Sequence, residues 1–229
     1  MENYKKEFIS FMIESGVLLF GDFITKSGRE TPYFINTGNY NTGNQMKKLG
    51  KFYAAAIDEN FSAEEVQVLF GPAYKGIPLT ITTSIALGNE SNRDISFCFN
   101  RKESKDHGER GNFIGKKLEN GDKIIIVEDV LTSGISVRES ISMLNKAAFI
   151  HILGLVVSVD RMERGRTQKN ALKEIRDQYN IKTCAIVTLD EIIEFLHNKE
   201  INGKVYIDDE MKNKIDEYRA KYGAIDEEI

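Results

Sequence analysis

The sequence predicts an α/β fold: a mainly parallel sheet with helices on both faces, plus a small N-terminal hood. Three observations predict it. Continuous apolar, β-branched runs recur along the chain and alternate with helix-like stretches, the pattern of strands buried on both faces. The polar constellations follow directly after these runs, where open α/β sheets place their ligands. The first forty residues instead hold short apolar runs broken by Gly21-Asp22 and Ser27-Gly28.

Residues 3–14 read as a helix with Phe8 and Met12 on its apolar face. Residues 17–37 read as irregular strands, the hood lying mainly within 1–40. A helix is expected over 45–59. Then come strand 66–70, helix 77–87, strand 95–100, a polar loop, strand 124–128, helix 135–147, strand 152–159, helix 168–179, strand 182–189 and helix 190–198. The charged tail after Asn202 contains DDEMKNKIDEYRAKYG, expected to be a packed terminal helix with a solvated outer face. The whole of 1–229 is read as one domain.

The 41% hydrophobic and 29% charged fractions are ordinary for a globular protein. A net charge of −4 argues against a nucleic-acid backbone as main partner. No apolar run approaches the roughly twenty residues of a membrane-spanning helix, and the amphipathic start is no signal peptide. Cys98 and Cys184 lie in apolar runs and read as small buried hydrophobes, and a reducing cytoplasm is expected. No Cys/His spacing suggests zinc. His151 and His197 have no ligand set near them in sequence.

The stretch IIIVEDVLTSGIS, 124–136, carries the most chemistry. A buried strand ends in Glu128-Asp129, and Thr132-Ser133-Gly134 opens a helix. Backbone N–H groups, the helix dipole and the hydroxyls suit a phosphate there. The carboxylates would repel it, so they serve ribose hydroxyls, a bound Mg²⁺ or a developing positive charge. Neither GxxxxGK[ST] nor GxGxxG is present. On spacing alone, Gly71-Pro72-Ala73-Tyr74-Lys75-Gly76 is a tight turn with a surface lysine. Its small residues also let backbone approach a ligand, and a cis or strained peptide near Ala73 is compatible with it. Segment 101–115, RKESKDHGERGNFIG, is too polar and glycine-rich to pack as a regular element. It is either a solvated loop or a mobile lid. Arg161, after strand 152–159, can pair with a carboxylate ligand or form a surface salt bridge with Asp160 or Glu163. Arg164 and Arg166 read as surface residues.

The run VEDVLTSGIS resembles the phosphoribosyl pyrophosphate motif of the type I phosphoribosyltransferases. With TKSGRETPYFINTGNYNTG (25–43), LFGPAYKGIPL (69–79), CFNRKESKDHGERGNFIG (98–115) and SVDRMERG (158–165), most of the chain resembles the orotate phosphoribosyltransferase family. Ile35 departs from the second aromatic that often follows Phe34 there. The resemblance implies transfer of 5-phosphoribosyl from 5-phospho-α-D-ribose 1-diphosphate to orotate, on the de novo route to UMP. It implies that Glu128, Asp129, Val130, Leu131, Thr132, Ser133, Gly134, Ile135 and Ser136 bind the sugar phosphate. Lys26, Tyr74, Lys75, Arg101, Lys102, Lys105 and His107 would complete that site, with Lys105, His107, Glu128 and Asp129 catalytic. Phe34, Ile35, Thr132 and Arg161 would meet orotate. Mg²⁺ would enter mainly on the sugar diphosphate, without an assigned protein ligand. The lid, about 101–115, would cross to a neighbouring subunit, making a homodimer. Association with orotidine monophosphate decarboxylase stays open; no decarboxylase domain is expected in this chain. A transferase for another base and a non-catalytic sensor of the sugar diphosphate are the competing readings, and fold alone does not choose among them.

Overall fold

The structure, a computed structural model, describes residues 1–25, 28–102, 112–131 and 133–225. Helix α1 (Asn3–Glu14) buries Phe8, Ile9 and Met12 and leads into the hairpin β1 (Leu18–Ile24) and β2 (Glu30–Ile35). This hairpin is the expected hood, with a register shift between Phe20 and Phe23. A single 3-10 turn, Thr37–Asn39, precedes α2 (Gly43–Asn60), which starts with a capping box of Thr42 and Gln45. There follow β3 (Val68–Gly71), α3 (Gly76–Ser91), β4 (Ser96–Asn100), β5 (Phe113–Gly115), β6 (Lys123–Val127) and α4 (Ile135–Ala147). The chain continues through β7 (His151–Asp160), α5 (Ala171–Tyr179), β8 (Lys182–Thr188), α6 (Leu189–Leu196), the short pair β9 (Glu200–Ile201) and β10 (Lys204–Val205), and α7 (Asp209–Tyr222).

The main sheet runs β5-β4-β3-β6-β7-β8. All its neighbours are parallel except β5, which runs antiparallel to β4. Strand β5 corrects the expectation that 101–115 holds no regular element. Its three residues pair with Cys98 to Asn100 at the sheet edge.

Alternation along the strands builds two cores. Leu69, Ile125, Val127 and Val156 face α1, α2, α3, α6 and α7. Val68, Phe70, Ile124, Ile126, Leu155 and Val157 face α4 and α5. Each fully buried Ile, Leu or Val contributes about 1.5–3 kcal/mol. The two-sided burial explains why these strands read as unbroken apolar runs. Cys98 and Cys184 have no disulfide partner, and burial pushes each thiol up to about 12, so both are inert fillers. The tail helix behaves as expected, with Asp208 capping it and Ile215 and Tyr218 buried.

The topology fixes the place of the site. From β3 the chain first steps to β4 on one side, then crosses to β6 on the other. The crevice beyond the carboxyl ends of β3 and β6 is therefore the switch point of the sheet. Gly71 ends β3 with its Cα against α3, where an added Cβ would overlap Gly76 O and Thr80 Oγ1. Gly71→Ala is expected to cost about 1–3 kcal/mol by overpacking, read as a lowered urea midpoint.

Candidate active site

At the switch point the acidic pair has its backbone fixed from three sides. Glu128 N–H donates to Val156 O at 3.0 Å, and Ser158 donates to Asp129 O through both N–H (2.8 Å) and Oγ (2.9 Å). Tyr53, fully buried on α2, donates its hydroxyl to Glu128 O at 2.7 Å. These bonds hold the backbone of both residues on rigid elements.

Asp129 is 8% exposed, and its Oδ2 accepts from Lys75 Nζ at 2.9 Å and Thr37 Oγ1 at 2.6 Å. Lys75 Nζ also donates to Thr37 Oγ1 at 3.0 Å. The loop after β3, the loop after β6 and the turn after the hood hairpin thus meet at one point. A cavity of about 180 Å³ lies beside them, lined in part by Tyr40, Tyr53, Pro78 and Ser158. Glu128 Oε1 accepts from Asp129 N–H (3.0 Å) and Oε2 from Ser136 Oγ (3.2 Å). Burial raises the Glu128 carboxyl above the usual carboxylate value, reinforced by Asp129 and opposed by its hydrogen bonds and Lys75.

Beyond the pair, Val130 bridges Val159 of β7, and Leu131 packs into the core with α4 and α5. Leu131 therefore offers a ligand its backbone, not its side chain. Gly134 turns the chain into α4 at φ +66°, where a Cβ would also lie 2.7 Å from Arg138 Nη1. That guanidinium donates to Ser133 O at 2.7 Å and to Glu174 Oε2 at 3.2 Å, tying the turn to α5. Ile135 and Ser136 are exposed at the start of the helix. This turn and helix start lie where the sequence places a phosphate, and Thr132 lies outside the described residues.

The loop Pro72–Lys75 is held by Asn100, whose Oδ1 accepts from Ala73 N–H at 2.8 Å. The Ala73–Tyr74 peptide is cis. Tyr74 is exposed, and Lys102 Nζ stands 4.9 Å over its ring. Arg101 N–H donates to Asn112 O at 2.7 Å, so β4 and β5 close the two ends of the segment between them. Lys105 and His107 lie outside the described residues, as does Lys26.

On the base side the structure separates two residues the sequence grouped. Phe34 faces outward beside Phe23, with ring centroids 5.8 Å apart, whereas Ile35 packs against the main core. Adjacent strand residues point to opposite faces, so the two side chains do not share one wall. Arg161 lies 5.7 Å from the centroid of the Tyr33 ring and pairs with Glu163. The salt bridge foreseen for a surface arginine is a partly buried one, with side-chain exposures of 19% and 12%. Burial works against the Arg161 charge, but Tyr33 and Glu163 hold its pKa above the usual arginine value. Arg164 is not a free surface residue either; its Nε donates to Gly223 O at 2.8 Å, while Arg166 is exposed.

Sequence reasoning missed Thr37, Asn100, Ser158 and Tyr53. Thr37 and Asn100 carried a signal, each being a small polar residue next to a strand end facing the crevice.

Comparison with known proteins agrees with this geometry. The phosphoribosyl transferase domain family matches residues 36–192, which span the acidic pair, the turn into α4 and Lys75. The chain is 60% identical over 224 residues to the orotate phosphoribosyltransferase of Clostridium beijerinckii, covering 98% of this chain and 100% of that one. It is 57% identical to that of Clostridium acetobutylicum at the same coverage. The crystal structure of orotate phosphoribosyltransferase from Francisella tularensis superposes with a TM-score of 0.79 at 36% identity, covering 95% of this chain and 99% of that chain. The chain belongs to the orotate phosphoribosyltransferase family, pentosyltransferases built on the type I phosphoribosyltransferase fold.

Proposed function

We propose that the chain transfers the 5-phosphoribosyl group of 5-phospho-α-D-ribose 1-diphosphate to N1 of orotate, releasing orotidine 5′-monophosphate and pyrophosphate. One observation carries the reading: a buried carboxylate pair stands at the switch point, immediately before the turn into α4, with Asp129 in contact with Lys75. Donors at residues 132–136 hold the 5′-phosphate, and Glu128 and Asp129 take the ribose hydroxyls. As the C1–O bond breaks, positive charge grows on the sugar and negative charge on pyrophosphate. Glu128 carries a charge that burial penalises, so a cation developing beside it relieves that cost. Lys75 has three ammonium protons, and its side chain is two-thirds exposed (66%). One of those protons turns to the diphosphate. Catalysis is then mainly electrostatic preorganisation, with no covalent protein intermediate.

Among the described residues no group of three or more His, Cys, Asp or Glu is arranged to hold a metal. The donors present fit Mg²⁺ carried largely on the oxygens of the sugar diphosphate and water, with Asp129 and Glu128 nearby. When bound, it supplies positive charge to the leaving group. Tyr74, Arg101, Lys102, Lys105, His107 and Lys26 surround the diphosphate. The lid reaches a neighbouring subunit in a homodimer, and the enzyme works in the cytoplasm, with or without the decarboxylase that follows it. No helix among the described residues is long and apolar enough to cross a membrane. Lys105→Ala is expected to lower kcat by about 10²-fold or more while changing orotate binding little. Unchanged turnover would remove the lid assignment.

A carboxylated base is favoured over a purine because Arg161 is a cation at the neighbouring strand end. The test is the loss of orotate absorbance with purified protein, the sugar diphosphate and Mg²⁺, with adenine, guanine, hypoxanthine and uracil as rivals. Turnover with orotate alone is expected. Turnover with another base only would discard the base site, and binding without turnover on any base would make the chain a sensor.

A further inference from the structure

The carboxylate of Glu163 is the centre of a cluster that joins the hood, the loop after β7 and the C-terminal helix. Its Oε1 accepts from Arg161 Nη2, from Tyr33 OH at 3.1 Å and from Tyr218 OH at 2.8 Å; its Oε2 accepts from Arg29 Nη1 at 3.1 Å. Tyr218 OH in turn accepts from Arg29 Nη1 at 3.4 Å and Arg161 Nη2 at 3.5 Å. Tyr218 lies edge-on to Tyr33, with centroids 5.7 Å apart, and Arg29 stacks 4.4 Å over Tyr222. The cluster sets two guanidiniums against one carboxylate. Arg161 Nε is buried and has no hydrogen-bond partner among the described residues. A half-buried guanidinium in contact with one shared carboxylate, and with a buried donor unused, can take a further acceptor.

We propose that Glu163 and Tyr218 are positioning residues for Arg161: they hold its guanidinium so that the unused donor and the positive charge meet the carboxylate of the base. The inference rests on the base-site reading above and deepens it. It assigns the C-terminal helix, fifty-five residues away from Glu163 through Tyr218, a part in base selection. Fixing the guanidinium in advance lowers the ordering cost of binding. Glu163 does not itself touch the ligand.

The test is steady-state kinetics of Glu163→Gln, Tyr218→Phe, Arg161→Ala and the double variant Arg161→Ala/Glu163→Gln, with orotate and with the sugar diphosphate varied in turn. Glu163→Gln is expected to raise KM for orotate about tenfold, and Tyr218→Phe about threefold. Both should leave KM for the sugar diphosphate within about twofold. In the Arg161→Ala background, Glu163→Gln should add little, because the two act as one unit. Equal increases in both KM values, or full additivity with Arg161→Ala, would make the cluster merely structural and overturn the inference. Should Glu163→Gln fail to fold, the KM split of Tyr218→Phe decides. Arg161→Ala with unchanged KM for orotate would bring down the base-site reading itself. An enzyme sensitive to Arg161→Ala but indifferent to the other two variants would overturn the inference alone.

Discussion

Asp129→Asn is expected to lower kcat by about 10²–10³-fold, the loss typical of removing one preorganised electrostatic group from a reacting centre. The asparagine keeps the shape and an oxygen for Thr37 but removes the negative charge that faces Lys75 and that we propose faces the ribose. Stability should change little. Asp129 is 8% exposed, but the partner Lys75 side chain is 66% exposed, so solvent screens most of the ion pair. Activity falling while the melting temperature holds within a few degrees is the expected signature. Turnover within about threefold of the parent would place the reacting sugar elsewhere.

Glu128→Gln separates stability from activity in the opposite direction. Burial raises the folded carboxyl above the usual 4.5. The folded state therefore binds more protons than the unfolded state between 4.5 and that raised value. Stability falls as pH rises through this window, and the penalty is fully present above it. Glutamine removes the desolvated charge, and Ser136 can turn its hydroxyl to suit the amide. The variant should melt a few degrees higher at neutral pH, since about 1 kcal/mol moves Tm by about 2–4 °C in a chain of this size. The gain should vanish below the ordinary carboxylate range, where both states of the parent are protonated. Turnover should fall by about 10²-fold. A melting temperature that drops at neutral pH would mean that the hydrogen bonds to Glu128 outweigh its desolvation.

The helices at 3–14 and 135–147 were legible to the residue, because each has a clear apolar stripe and a polar or glycine boundary. The inner strands were legible because burial on both faces leaves an unbroken apolar run. Strand β5 was not: three residues at a sheet edge next to a polar segment carry no period to read. The same holds for the two-residue strands β9 and β10. At the site, the acidic pair, the turn into α4 and Lys75 sit in local sequence patterns, and the fold brings the pair and Lys75 together. Thr37 meets Asp129 across ninety-two positions and Tyr218 meets Glu163 across fifty-five. Such contacts depend on how the hood and terminal helix pack, which no local pattern encodes. Arg161 shows the intermediate case. Its partner Glu163 was foreseen, but its burial among Tyr33, Tyr218 and Arg29 was not.

We propose that the Glu128–Asp129 pair and the turn into α4 hold opposite ends of a phosphoribosyl group. A crystal structure of the complex with 5-phospho-α-D-ribose 1-diphosphate and Mg²⁺ tests it most directly. The 5′-phosphate is expected on the N–H and hydroxyl donors of residues 132–136, the ribose hydroxyls within hydrogen-bond distance of Glu128 and Asp129, and Lys75 turned to the diphosphate. A phosphate bound elsewhere, or ribose hydroxyls out of reach of both carboxylates, would contradict the account.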